Sequence, residues 1–256
     1  MSEESGGRAR AVVCKMVTMH AGGGDMTDDA ALSRVHYELI QGLLGRGICP
    51  GTGELALSMG VTEDAVRRLL RGLADIHGVV LHPQTCEPWI VHPFSLTPSL
   101  NWVDGGGKGS WWAPCIWCAL GIGVLAGGHV RIHTRIGAES QSLVIDVADG
   151  EPLRPDDVWV HFAIPPARAW DNVHRHCSLV LPFHSRAQIG DWCARHGTPE
   201  GEAAPLRQVA QLARLWYGTH ANADWRKWTV AEAQDILARA GLTSEFWRLQ
   251  PREGKF

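Results

Sequence analysis

The sequence predicts an α+β protein, with an N-terminal winged-helix-like helical module followed by a mixed α/β core carrying an antiparallel sheet. Three observations predict it. Apolar residues recur at helical spacing from 28 to 44, at Leu32, Val35, Leu39, Ile40 and Leu43. Short β-branched runs bounded by Gly and Pro recur further on, at 130–134, 143–147 and 159–164. Helices and strands are mixed in irregular order, unlike a regular βαβ array.

The elements follow in chain order. Residues 1–27 contain Gly22, Gly23 and Gly24 and no apolar period, and read as a disordered leader. After the first helix, a short helix over 54–59 stops at Gly60. Thr62 then caps a third helix bearing Val66, Leu69 and Leu70. Residues 79–81 and 89–91 read as a hairpin around a Pro-containing turn. This order is that of a winged helix, so 28–98 is expected to be one unit and 99–256 the core with its C-terminal helices. Arg67, Arg68 and Arg71 on the third helix could touch phosphates, but no wider basic patch supports DNA binding.

Residues 93–109 read as a connector, and their glycine run fits neither a Walker loop nor a dinucleotide fingerprint. A helix is expected over 114–125, with a proline in its first turn. The stretch 167–176 is a short helix or turn leading to Cys177. Helices follow over 185–194, 205–216 and 229–240, the last opened by a Thr229/Glu232 capping box and stopped by Gly241.

Composition narrows the function. The chain has 256 residues, 45% of them hydrophobic, and a formal net charge of -3, which argues against nucleic acid or an anionic membrane as a general partner. No apolar signal core opens the chain, and the longest apolar stretch, 113–126, is too short for a bilayer span. The expected location is cytoplasmic. There the seven cysteines stay reduced, as either core residues or chemical ones. Twelve tryptophans stand against two tyrosines. Each indole N–H needs a partner when buried, so several are expected around a site or interface.

The strongest local feature is Cys115-Ile-Trp-Cys118 at a helix start. Two thiols three apart face the same way, and the helix N-terminus favours a thiolate. The pair alone suggests a redox couple or half a soft-metal site. The second feature is His174-Arg175-His176-Cys177, where the plainer reading is a small buried cysteine before an apolar strand. Together the segments supply Cys115, Cys118, Cys177, His174 and His176, enough for a soft-metal or thiolate site. Residues 92–95 and 216–220, rich in His and aromatics, could frame a pocket or simply anchor packing. Residues 225–228, Trp-Arg-Lys-Trp, read as a solvated surface turn with cation–π stacking. Cys14, Cys49 and Cys86 read as incidental and Cys193 as core.

Trp117-Cys118-Ala119-Leu120 resembles the catalytic Trp-Cys-Ala-Leu segment of organomercurial (alkylmercury) lyases. Cys177-Ser-Leu-Val-Leu-Pro-Phe183, followed by Asp191-Trp192-Cys193-Ala194-Arg195-His196, is similar to that family's second catalytic cysteine and the helix after it. The resemblance covers roughly residues 30–200. It implies detoxifying protonolysis of a carbon–mercury bond by Cys118 and Cys177, with Cys115 as a third thiol. Cys118, Cys177, Cys115 and His176 would hold the metal. It further implies no required cofactor, Hg(II) as product, small-molecule thiols as partners, and a hand-off to a mercuric reductase. The family usually has an Asp three residues after its first cysteine; this chain has Gly121. Cys115, Asp146, Asp171, His174 and His176 are the substitutes the sequence offers as acid. The family's third cysteine also has no counterpart around 131–136. Two other readings remain: a soft-metal-binding protein without turnover, or a member cleaving another carbon–heteroatom bond. A metal-sensing winged-helix regulator ranks below both.

Overall fold

The computed structural model describes residues 26–250. Most of the expected leader, including Cys14, lies outside the described residues. Helix α1 (Met26–Arg46) begins the described chain, and α2 (Thr52–Met59) and α3 (Glu63–Asp75) follow. Gly60 adopts the left-handed conformation that ends α2. The Thr62 hydroxyl caps α3 by accepting from the Ala65 N–H at 3.2 Å. Val66, Leu70 and Leu73 form the buried stripe of α3. Its Arg67 is committed to Glu63 and Asp64 at 2.7 and 2.9 Å.

Eight strands then build one antiparallel sheet. They are β1 (Val79–Leu81), β2 (Pro88–Val91), β3 (Phe94–Ser95), β4 (Asn101–Asp104), β5 (Ser110–Ala113), β6 (His129–Arg135), β7 (Ser142–Ala148) and β8 (Glu151–Pro152). Their order is β1-β2-β3-β5-β4-β6-β7-β8. Hence 93–109 is not a plain connector: it contains β3 and β4. Strands of two and four residues leave almost no periodicity to read, and the glycines of 105–109 sit between β4 and β5 rather than in place of them. On β6, Val130, Ile132 and Thr134 turn inward while His129, Arg131 and Arg135 face out, the expected alternation.

Between β5 and β6 runs α4 (Ile116–Ala126), apolar on nearly every face and buried from Ile116 to Gly123 except Trp117. A helix that is apolar all round belongs inside a core. It packs on β4, β5 and β6 on one side and on α7 on the other. A second sheet, β10-β9-β11, unites β9 (Trp159–Phe162), β10 (Val180–Phe183) and β11 (Glu202–Pro205). Before β10 comes α5 (Val173–Ser178), and after it α6 (Arg186–His196), capped by Ser185. Then come α7 (Leu206–Tyr217) and α8 (Val230–Arg239), the latter opened by the Thr229/Glu232 capping box. One large core joins α1, α3, α4, α7 and both sheets. The Trp111 indole N–H, donating to the Leu43 carbonyl at 2.7 Å, ties β5 to α1 within it.

Candidate active site

Cys115 occupies the N-cap of α4 in extended backbone, and its sulfur accepts from the Cys118 N–H at 3.4 Å. One turn in, Cys118 points back to the same place. Cys177 arrives from α5, whose start is fixed by the Asn172 side chain accepting from the Arg175 N–H at 3.0 Å. The three sulfurs converge: Cys115 is hydrogen-bonded to both Cys118 and Cys177. All three thiols are buried.

Their charges separate. Burial alone would raise Cys115, but hydrogen bonds from the Cys118 and Cys177 thiols and the Cys118 N–H outweigh it and hold Cys115 well below the usual thiol range. Burial and the hydrogen bond to Cys115 push Cys118 well up. Cys177 is pushed well up by its hydrogen bonds to Cys115 and Cys118, then by burial. The hydrogen bonds among the three sulfurs thus favour negative charge at Cys115 over Cys118 and Cys177. His176 is buried beside Cys115 and kept neutral by that burial.

A cavity of about 70 Å³ opens over Cys118 and Cys177. Five indoles wall it: Trp117, Trp170, Trp216, Trp225 and Trp228. This accounts for part of the tryptophan excess. The Tyr217 hydroxyl, from the end of α7, lies 3.4 Å from the Cys118 sulfur. Burial first, and the neighbouring sulfurs second, raise Tyr217 well above the usual phenol value, so it keeps its proton. His92, from the turn between β2 and β3, completes the site. Burial holds it down to about 4, and its Nδ1 is buried without a hydrogen-bond partner. His92, Cys118 and Cys177 each offer a ligand atom, and the three atoms lie within 4.8 Å of one another. A neutral imidazole and two sulfurs suit a soft metal.

Other sequence candidates fall elsewhere. His174 is exposed and faces Trp89, Asp171 pairs with Arg168, and Asp146 pairs with Arg131 on the outer sheet. Arg175 is exposed, so it does not favour a thiolate at Cys177. Gly121 packs against the Tyr217 ring, with no room for a side chain: a Cβ there would lie 2.8 and 2.9 Å from ring carbons Cε2 and Cγ. The surface turn expected at 225–228 is instead part of the cavity wall. Trp225 is buried and Lys227, although partly covered as a residue, has an enclosed ammonium over the Trp170 and Trp216 rings at 5.5 and 5.9 Å. Arg226 is the exposed residue of the four, pairing with Glu232. An apolar residue on each side of a charge reads as a surface pattern, and only the fold shows it turned inward. The sequence pointed to His92 and Tyr217 only as members of His- and aromatic-rich segments.

The alkylmercury lyase family model matches residues 94–218, from β3 through the end of α7. No curated protein matches the chain. A solved structure described as the mercury-bound form of MerB2 is similar in fold, with a TM-score of 0.56 at 16% identity, covering 78% of this chain and 100% of that one. The matched segment contains Cys115, Cys118, Cys177 and Tyr217, and over it the chain is similar to the alkylmercury lyase family.

Proposed function

We propose that the protein cleaves the carbon–mercury bond of organomercurials by protonolysis, releasing a hydrocarbon and retaining Hg(II) on Cys118 and Cys177. The observation that carries this reading is the convergence of three buried sulfurs beneath an aromatic cavity. Soft sulfur binds mercury far better than oxygen does. An organomercurial arriving as a small-thiol adduct would exchange that thiol for a protein sulfur. A second protein sulfur would then load the mercury and weaken its bond to carbon. Cys115 accepts hydrogen bonds from both partners, so it is placed to orient the two sulfurs that bind the metal. His92 supports the product state as a third donor, a role the sequence suggested for His176. The indole walls exclude water and fit the organic substituent.

A cytoplasmic setting with abundant small thiols belongs to the same proposal, as does the hand-off of Hg(II) to a mercuric reductase. No helix among the described residues is long and apolar enough to cross a membrane. We read 28–98 as a winged-helix-like unit that closes one side of the site through His77, Gly78 and His92.

The test is turnover of phenylmercury with excess cysteine, following benzene and Hg(II). Multiple turnovers in the wild type, lost in Cys118→Ala and Cys177→Ala, are expected. Tight binding of one metal equivalent without benzene would instead favour a soft-metal-binding protein, the reading to which the His92, Cys118 and Cys177 grouping also lends itself.

A further inference from the structure

We propose that Tyr217 is the proton donor for the carbon–mercury cleavage, an inference that rests on the lyase reading above. Protonolysis needs a proton placed on the carbon as its bond to mercury breaks. No Asp or Glu lines the cavity among the described residues, so the proton must come from another group. The Tyr217 hydroxyl, which touches the Cys118 sulfur at 3.4 Å, is placed for it. Lys227, the cation of the cavity, sits instead over the Trp170 and Trp216 rings.

The ring is set for this role by its neighbours. It is buried, packs at 5.6 Å from the Trp117 ring and 5.0 Å from the His220 ring, and lies flush on α4 at Gly121. Any Cβ at position 121 would push the ring off the helix and its hydroxyl away from Cys118. Glycine one turn beyond the thiol thus admits an acid carried by a different helix. A tyrosine arm has only two side-chain torsions, so holding the ring nearly fixes the hydroxyl.

The step balances without a redox change. The substrate R–Hg–SR′ first exchanges R′S for a protein sulfur, and that protein thiol's proton leaves on R′SH. Cys118 sulfur then binds mercury. The electron pair of the breaking C–Hg bond takes the Tyr217 hydroxyl proton and R–H departs. The tyrosinate oxygen takes the proton that Cys118 gives up. The sum is R–Hg–SR′ plus two protein thiols giving S–Hg–S, R–H and R′SH, with mercury at +2 throughout.

The experiment is a single turnover of the phenylmercury–cysteine adduct by wild type and Tyr217→Phe, measuring phenylmercury bound to protein and benzene released. Tyr217→Phe keeps the ring that packs on Gly121. It should bind phenylmercury as the wild type does and release benzene about 100-fold more slowly, the usual worth of a positioned acid. A purely structural role would weaken binding together with release. A Gly121→Asp/Tyr217→Ala variant places a carboxyl one turn beyond Cys118 and should release benzene at least roughly tenfold faster than Tyr217→Ala alone. Benzene release from Tyr217→Phe within about threefold of wild type overturns the assignment while leaving the lyase reading intact. No benzene from the wild type overturns the lyase reading itself, and this inference with it.

Discussion

His36 lies face to face on Trp225, their ring centroids 3.6 Å apart and their planes 13° from parallel. The contact joins α1 to the segment after α7, and both ring nitrogens of His36 are buried without a hydrogen-bond partner. His220 meets the same imidazole edge-on at 5.6 Å, and the charge of Lys227 acts on it. Burial first, and Lys227 second, hold His36 down to about 3. The unfolded chain takes up that proton near pH 6.5, so this contribution to stability is present above 6.5 and is lost as pH falls toward the folded value. By pH 5 the loss from His36 alone should reach about 2 kcal/mol relative to neutral pH. Urea unfolding at the two pH values should show it, and His36→Phe should flatten the difference. An equal pH dependence in wild type and His36→Phe would refute the assignment.

Lys227 predicts a dependence in the alkaline range. Burial lowers its ammonium to about 8. A base whose folded value is lowered costs stability in full below that value, and the cost fades as pH rises to the unfolded value. Lys227→Met should therefore melt higher than wild type at neutral pH, and the gap should narrow steadily as pH rises from 8 toward the ordinary lysine value. Melting curves of both proteins across that range measure the gap. A gap that stays constant would mean the ammonium is not held at a cost.

Much of this could be read before any coordinates. The 3.6-residue period of α1 and α3, the Thr229/Glu232 box and the Cys-x-x-Cys pair at a helix start are local signals, each set by residues a turn or less apart. All of them appear in the structure close to where the periodicity puts them. The meeting of Cys115 and Cys118 with Cys177 depends on how α4 and α5 pack, and no local pattern encodes that. The sequence could supply the three thiols but not their contact. His92, Tyr217 and Lys227 were harder still. Each joins the site from a separate segment, and Tyr217 reaches Cys118 only because Gly121, on another helix, leaves the space. An absent side chain carries no chemistry of its own, so the sequence alone shows it as a loss.

That space makes Gly121→Ala informative. The added methyl would meet the Tyr217 ring. Overpacking a filled core costs about 1–3 kcal/mol. Urea unfolding should show a loss in that range, and benzene release should fall in the same variant because the hydroxyl moves with the ring. Wild-type stability would mean that the α4–α7 contact is looser than the geometry indicates.

Cys193 serves as the contrasting thiol. It sits in a separate small cluster with Phe183, Ile189 and Trp192, its sulfur 3.7 Å from the His161 ring. Cys193→Ala should keep benzene release within about twofold of wild type while costing about 1 kcal/mol of stability. Loss of release comparable to that of Cys118→Ala would place the chemistry elsewhere in the molecule.

The unbroken ladder from β1 to β8 also limits how this chain can be taken apart or rearranged. β3 and β5 meet only at Ser95 and Trp112, yet that narrow seam makes the hairpin that follows α3 the outer margin of the sheet over which α4 lies. Excising everything before residue 98 would remove β3 and its pairing at Trp112, leaving β5, held by β4 alone, as the edge strand of the sheet. Such an edge invites pairing with another copy and fibrous self-association. The N-terminal segment is then a shield as much as a neighbour, and shuffling it between proteins would require a replacement that presents a strand of matching register.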